Sequence, residues 1–240
     1  DINVSKGDTY GGTTYHAAGA IAGINGGTIE NCVVKSGSVV KIYGDGSKSG
    51  VNRVAGGVVG WNMKHVSPEY INGDPSYDNL LGLGEIINCI NHASVEAKGR
   101  RQSKGEILSA GGIAGKSEMA ATSDKPDGSN LHVHATLIQG CANFGSVKTS
   151  GKTGTAYVGG IAGSGISSTD IIFCFNAGAV NAGAVASEDN YNNAFIGGII
   201  GSINANYCGS ELLWCANAGV ISAVNDCYKG EIAGVRAPEE

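Results

Sequence analysis

The stretch that decides the fold is GGIAG at residues 111–115, followed after an insertion by IQGCANFGSV at 138–147. Its first half recurs as GAIAG at 19–23, GGVVG at 56–60, GGIAG at 159–163 and GGIIG at 197–201. Its second half, an apolar strand ending in cysteine and then Asn-x-Gly/Ala-x-Val/Ile, recurs as INCINHASV at 87–95, IFCFNAGAV at 172–180 and LWCANAGVI at 213–221. The first copy, IENCVVKSGSV at 29–39, carries one extra residue and has Val34 in place of the asparagine. GEIAG at 230–234 begins a degenerate sixth copy. Units of this size are single supersecondary elements stacked on copies of themselves.

Composition agrees. Gly is 40 of 240 residues and charged residues are 15%, against a usual ~7% and ~25%. No segment sustains a 3.6-residue apolar period, and the glycine density weakens any helix. The sequence therefore predicts an all-β chain, a single-stranded parallel β-helix of about five to six coils with loop insertions. General twist preference makes it right-handed. Each coil reads as three short strands: the GGxxG string, the run into Cys, and the segment from the following Val. One domain spans 1–240, with 1–18 a cap or incomplete coil, 19–234 the coils and 235–240 a tail. Five coils at roughly 4.8 Å each give a body on the order of 25 Å long.

Two ladders follow from the register. Cys32, Cys89, Cys141, Cys174 and Cys215 share one repeat position, which predicts a row of reduced, buried thiols acting as small apolar residues. Side chains of stacked strands point the same way, so these do not pair; Cys208 and Cys227 are the candidate disulfide. Asn91, Asn143, Asn176 and Asn217 stack likewise, each amide bonding its own bend and its copy in the next coil.

Insertions fall at two fixed points of the repeat, one after GGxxG (24–28, 61–85, 116–136) and one after the third strand (43–53, 98–108, 148–156, 181–194). Equivalent insertions emerge on one edge of a solenoid, and that is where function is expected. Nine of the sixteen basic residues lie at or beside the second insertion point of the first three coils: Lys41, Lys48, Arg53, Lys98, Arg100, Arg101, Lys104, Lys148 and Lys152. Stacked, they form a basic stripe in a chain of net charge −5, suited to anionic glycans or an acidic protein surface. The first long insertion carries Trp61, Tyr70 and Tyr77. Exposed, these rings would stack on sugars; Trp61, directly after GGVVG, can instead fold back onto apolar surface.

Other chemistry is weaker. Gly151-Lys152-Thr153 resembles a phosphate loop, but Gly145 is one residue too distant and no helix follows. His132 and His134 lack an evident third metal ligand. Carboxylates at Glu69, Asp74, Asp78, Glu118, Asp124 and Asp127 are candidates for a polysaccharide lyase or hydrolase by loop adjacency alone. No metal and no cofactor is expected. The acidic balance argues against nucleic acid, and no apolar run is long enough to span a membrane.

The glycine string joined to Cys and Asn-x-Gly-x-Val resembles the GLUG repeat over residues 19–234. That resemblance implies an extracellular right-handed β-solenoid from a larger secreted or surface protein of bacteria, with adhesin-like roles. It carries over no catalytic residue, since the metallopeptidases of that family keep zinc on a separate HExxH region absent here. The expected function is a non-enzymatic adhesin-like binding or spacer module whose partners are glycans or a host or cell-surface protein. A carbohydrate-active enzyme on the same scaffold is the alternative. The candidate binding residues are Lys98, Arg100, Arg101, Lys104, Trp61, Tyr70 and Tyr77.

Overall fold

The structure is a computed structural model that describes residues 8–10, 13–43, 51–65, 84–100, 106–120, 135–166, 169–183, 193–204, 210–223 and 227–234. It is an all-β parallel solenoid of five coils and the start of a sixth. Each coil contributes five strands, not three, one to each of five parallel sheets. The strands entering GGxxG form sheet I, from Thr13–Gly19 to Tyr228–Gly230. Those leaving it form sheet II, from Ala22–Asn25 to Ile200–Asn204. The run into the cysteine forms sheet III, from Thr28–Glu30 to Leu212–Leu213. Two-residue strands such as Ile90–Asn91 form sheet IV, and those from Val39–Tyr43 to Ile221–Ala223 form sheet V. One extra strand, in sheet IV, is two residues long and cannot display alternation; the other arises because GGxxG, expected as a single strand, is the corner between the strands of sheets I and II, such as Ile107–Gly111 and Ala114–Ala120. Asp8–Tyr10 turns back antiparallel on the first strand of sheet I. GEIAG does open a sixth coil: Tyr228–Gly230 pairs with the strand Asn193–Gly197, and Ala233 bridges Ile200.

Inward positions build two apolar columns. One lies between sheets I and V, with Ala55, Ala110, Val158 and Ile196 facing Ile42, Ala97 and Val180. The other lies among sheets II, III and IV, where Ile86, Ile138 and Ile171 stack at full burial beside Cys89, Cys141 and Cys174. Each buried branched side chain contributes about 1.5–3 kcal/mol. Sheets I and II pack back to back, backbone on backbone. A Cβ at Gly115 would stand 2.7 Å from Ala55 N, and one at Gly163 2.7 Å from Ala110 N. Hence the last glycine of GGxxG leaves no room for a side chain at Gly60, Gly115, Gly163 and Gly201.

The asparagine ladder forms as expected. Asn91 Nδ2 donates to Asn143 Oδ1 at 2.9 Å, Asn143 to Asn176 at 2.8 Å and Asn176 to Asn217 at 2.8 Å. Each Nδ2 also donates to the carbonyl two residues on, and each Oδ1 accepts the amide there. The second glycine of GG sits against this ladder: a Cβ on Gly112 would overlap the Asn143 carboxamide, and one on Gly160 that of Asn176. The two halves of the repeat therefore meet in space. A second buried polar line, unread in the sequence, runs from Asn25 through Asn62 and Ser117 to Thr136 and Thr169.

Candidate functional site

Among the described residues, three cations of the basic stripe are paired with carboxylates. Lys41 Nζ lies 2.7 Å from Glu96 Oε2 and Lys148 Nζ 3.7 Å from Oε1 of the same carboxylate. Ser150 Oγ donates to Glu96 at 2.6 Å. Lys41 also stands over the Tyr43 ring, 4.8 Å from its centroid. Arg53 is buried and ion-paired with buried Glu106. Lys98 is exposed. Arg100 ends the strand Ser94–Arg100; its side chain, that of Lys152, and all of Lys48, Arg101 and Lys104 lie outside the described residues. Pairing across coils by Glu96 and Glu106 is the reason the described stripe is weaker than its linear charge count. Thr153, the last residue of the phosphate-loop lookalike, instead donates its hydroxyl to the Glu106 and Thr155 carbonyls.

Glu96 offers a pH test. Burial opposes its ionisation, but the Lys41 ammonium and the Ser150 hydroxyl outweigh it and hold the carboxyl below its usual value. A depressed folded-state value contributes stability above the ordinary carboxylate range, lost as pH falls through that depressed value. Glu96→Gln should therefore lower the unfolding free energy measured by urea melts at neutral pH, by about 1 kcal/mol or less for so exposed a pair of lysines. Parent and variant should converge in acid.

Trp61 is a correction to the sugar-platform expectation: it is buried, packed with Met63 and Ala17 in the crease between sheets I and II. Lys116 Nζ sits 5.1 Å from its ring centroid and 2.6 Å from Glu118 Oε1. Burial raises the Glu118 carboxyl, with Lys116 acting against that shift. Trp61 covers apolar side chains, as its position after GGVVG allows. Tyr70, Tyr77, Glu69, Asp74, Asp78, Asp124, Asp127, His132 and His134 lie outside the described residues. Among the described residues no group of three His, Cys, Asp or Glu is placed to hold a metal ion, and no helix is long and apolar enough to cross a membrane.

The cysteine column is in place. Cys89, Cys141 and Cys174 are buried free thiols, and Cys32 and Cys215, near the ends of the stack, are half-buried. Each Sγ donates to the carbonyl two residues back, Cys141 to Gln139 at 3.3 Å, and Cys141 also reaches Ile86 O in the preceding coil at 3.5 Å. The neighbouring Cys174 thiol, the Cys89 thiol and burial all push the Cys141 thiol far up. Alkylation of the native protein should modify Cys32 and Cys215 well before Cys141, and all five rapidly after denaturation; fast native labelling of Cys141 would break the column. Cys227 packs against the sheet I–V core; its proposed partner Cys208 lies outside the described residues.

The surface that the sequence reading missed is the bend just before the cysteine. In every coil this residue is left-handed: Asn31 (φ 55°), Asn88 (φ 51°), Gly140 (φ 63°), Phe173 (φ 54°) and Trp214 (φ 51°). Asn and Gly suit that conformation; aromatic residues do not, at a cost of about 1–2 kcal/mol each. Phe173 and Trp214 are nonetheless exposed, 56% and 72%, with rings stacked at 4.7 Å and 10°. Beside them run Phe175, Phe144 and His92: Phe144 stacks on His92 at 5.0 Å and meets Phe175 edge-on at 6.2 Å. The signal was present in the sequence, as NC, NC, GC, FC, WC in successive copies. A further aromatic stack, Tyr157, Phe195 and Tyr228, with centroids 5.3 and 4.9 Å apart, lines sheet I.

No family model matches the chain, nor does any curated protein. Among solved structures, the chain is similar to a crystal structure from Bacteroides ovatus, provisionally assigned as an immunoglobulin A1 protease. The TM-score is 0.57 at 21% identity, over 97% of this chain and 52% of the other, so the chain spans about half that protein's length. That likeness bears on the fold: a parallel β-solenoid is shared between the two.

Proposed function

We propose that the chain is an adhesin-like binding module of a larger secreted or surface-exposed bacterial protein, acting without catalysis. The observation that carries this reading is the aromatic bend, where Phe173 and Trp214 are held exposed on a backbone that disfavours them. Strain kept at an exposed position that adds nothing to a core is the mark of a site rather than of architecture. The resemblance to GLUG repeats supports the same reading, as does the similarity to a protein about twice as long. The rival is an enzyme, favoured by the protease assignment of that neighbour. Applying the protein to a glycan array, with parallel cleavage screens on polysaccharides and immunoglobulin A1, separates them. Retention on glycans without new chain ends supports the module; turnover of any substrate contradicts it.

A further inference from the structure

The left-handed bends form one ladder, and one of its rungs, Gly140, carries no side chain of its own. Asn31, Asn88, Gly140, Phe173 and Trp214 occupy successive coils, joined in register by backbone bonds from Asn31 N to Ile87 O, Asn88 N to Gln139 O, Gly140 N to Ile172 O and Phe173 N to Leu213 O. Trp214 covers one face of Phe173. The other face looks toward the rung of Gly140, which has no side chain to meet it. Coils repeat at roughly 4.8 Å, close to the separation of stacked rings, so a flat ring can stack on Phe173 outside the base of this rung, which Asn88 Oδ1 occupies. Across that place Asn88 leans in. Its Oδ1 crowds the position that a Gly140 Cβ would take, and the residue is exposed.

We propose that this rung binds a single neutral pyranose, stacked on Phe173 and hydrogen-bonded by the Asn88 carboxamide. This deepens the adhesin-like reading and rests on it. A pyranose has an apolar C–H face for the ring and hydroxyls that both donate and accept, and a carboxamide does both. A peptide aromatic would use the ring face alone. Charge selects further. Glu30, Glu85, Asp170 and Glu211 lie on or beside the neighbouring sheet III, at positions that are exposed or half-exposed. These carboxylates repel an anionic sugar and leave a neutral one unopposed. The ligand class expected here therefore differs from the anionic glycans that the basic stripe suggested.

The test is calorimetric titration of the parent with cellobiose, lactose and N,N′-diacetylchitobiose, beside a sulfated heparin disaccharide. Trp214 emission gives a second readout, since the other tryptophan, Trp61, is buried. At least one neutral disaccharide should bind and the heparin disaccharide should not. Gly140→Asn fills the rung with a residue that the bend tolerates, and Asn88→Gly removes the carboxamide. Each should weaken binding about tenfold or more, a loss of roughly 1.4 kcal/mol, with an unchanged melting curve. Should Gly140→Asn not fold, Phe173→Asn, which installs the residue of the first two coils, serves instead. Absence of binding to every neutral probe, or equal binding by Gly140→Asn and parent, overturns the proposal. If the glycan array still binds Gly140→Asn as it binds the parent, the rung is wrong and the adhesin-like reading stands. An array without any hit sinks both.

Discussion

Asn143→Asp should unfold the protein at neutral pH or lower its stability by about 3–5 kcal/mol. Asn143 is fully buried. Its Nδ2 donates to Gly145 O at 2.9 Å and to Asn176 Oδ1 at 2.8 Å. Aspartate replaces that donor with an oxygen facing two acceptors and places a charge where no water reaches it. A buried carboxyl resists ionisation, so its folded-state pKa is raised, and the deficit should shrink as pH falls through the carboxylate range. Asn143→Ala, which removes the polar group without adding a charge, should cost less, about 1–3 kcal/mol. Urea melts at neutral and acid pH check both the size and the pH trend.

Gly160→Val should prevent folding, a loss of about 4 kcal/mol or more. The cause is crowding, since Gly160 is not among the residues with positive φ. A Cβ there overlaps the Gly198 carbonyl of the next coil and the Asn176 carboxamide. Neither can retreat: the carbonyl belongs to the solenoid backbone and the carboxamide is pinned by its ladder bonds. Gly26 is the internal control, with nothing within 4 Å of its would-be Cβ, and Gly26→Ala should stay within about 0.5 kcal/mol of the parent. Circular-dichroism melts distinguish a geometric glycine from a compositional one.

The repeat made the architecture legible because each repeated residue has one structural task. The GGxxG glycines let sheets I and II touch, the cysteines fill a column and the asparagines close the bends. All three tasks repeat at every coil, so they appear as sequence identity. What stayed hidden depends on which unlike residues meet across coils. Lys41 and Lys148 looked like free positive charge until Glu96, more than fifty residues from either, was placed between them. Trp61 was open to two readings, a ligand platform or a cover over apolar surface, until the crease beside Ala17 enclosed it. The aromatic bend escaped for the opposite reason: Phe173 and Trp214 break a repeat position that Asn31, Asn88 and Gly140 obey, and a break attracts notice only once the left-handed backbone is known.

If Phe173 and Trp214 serve a ligand rather than the fold, the Phe173→Asn, Trp214→Asn double variant should keep the parent's melting temperature. Asparagine is the residue the first two coils already use at this bend. Relief of about 1–2 kcal/mol of backbone strain at each site should match or exceed the stacking lost between the rings, about 0.5–1.5 kcal/mol. The variant should melt at the parent's temperature or a few degrees above it, at roughly 2–4 °C per kcal/mol for a chain of this size. A melting temperature lower by more than about 4 °C would show instead that the rings hold the solenoid together.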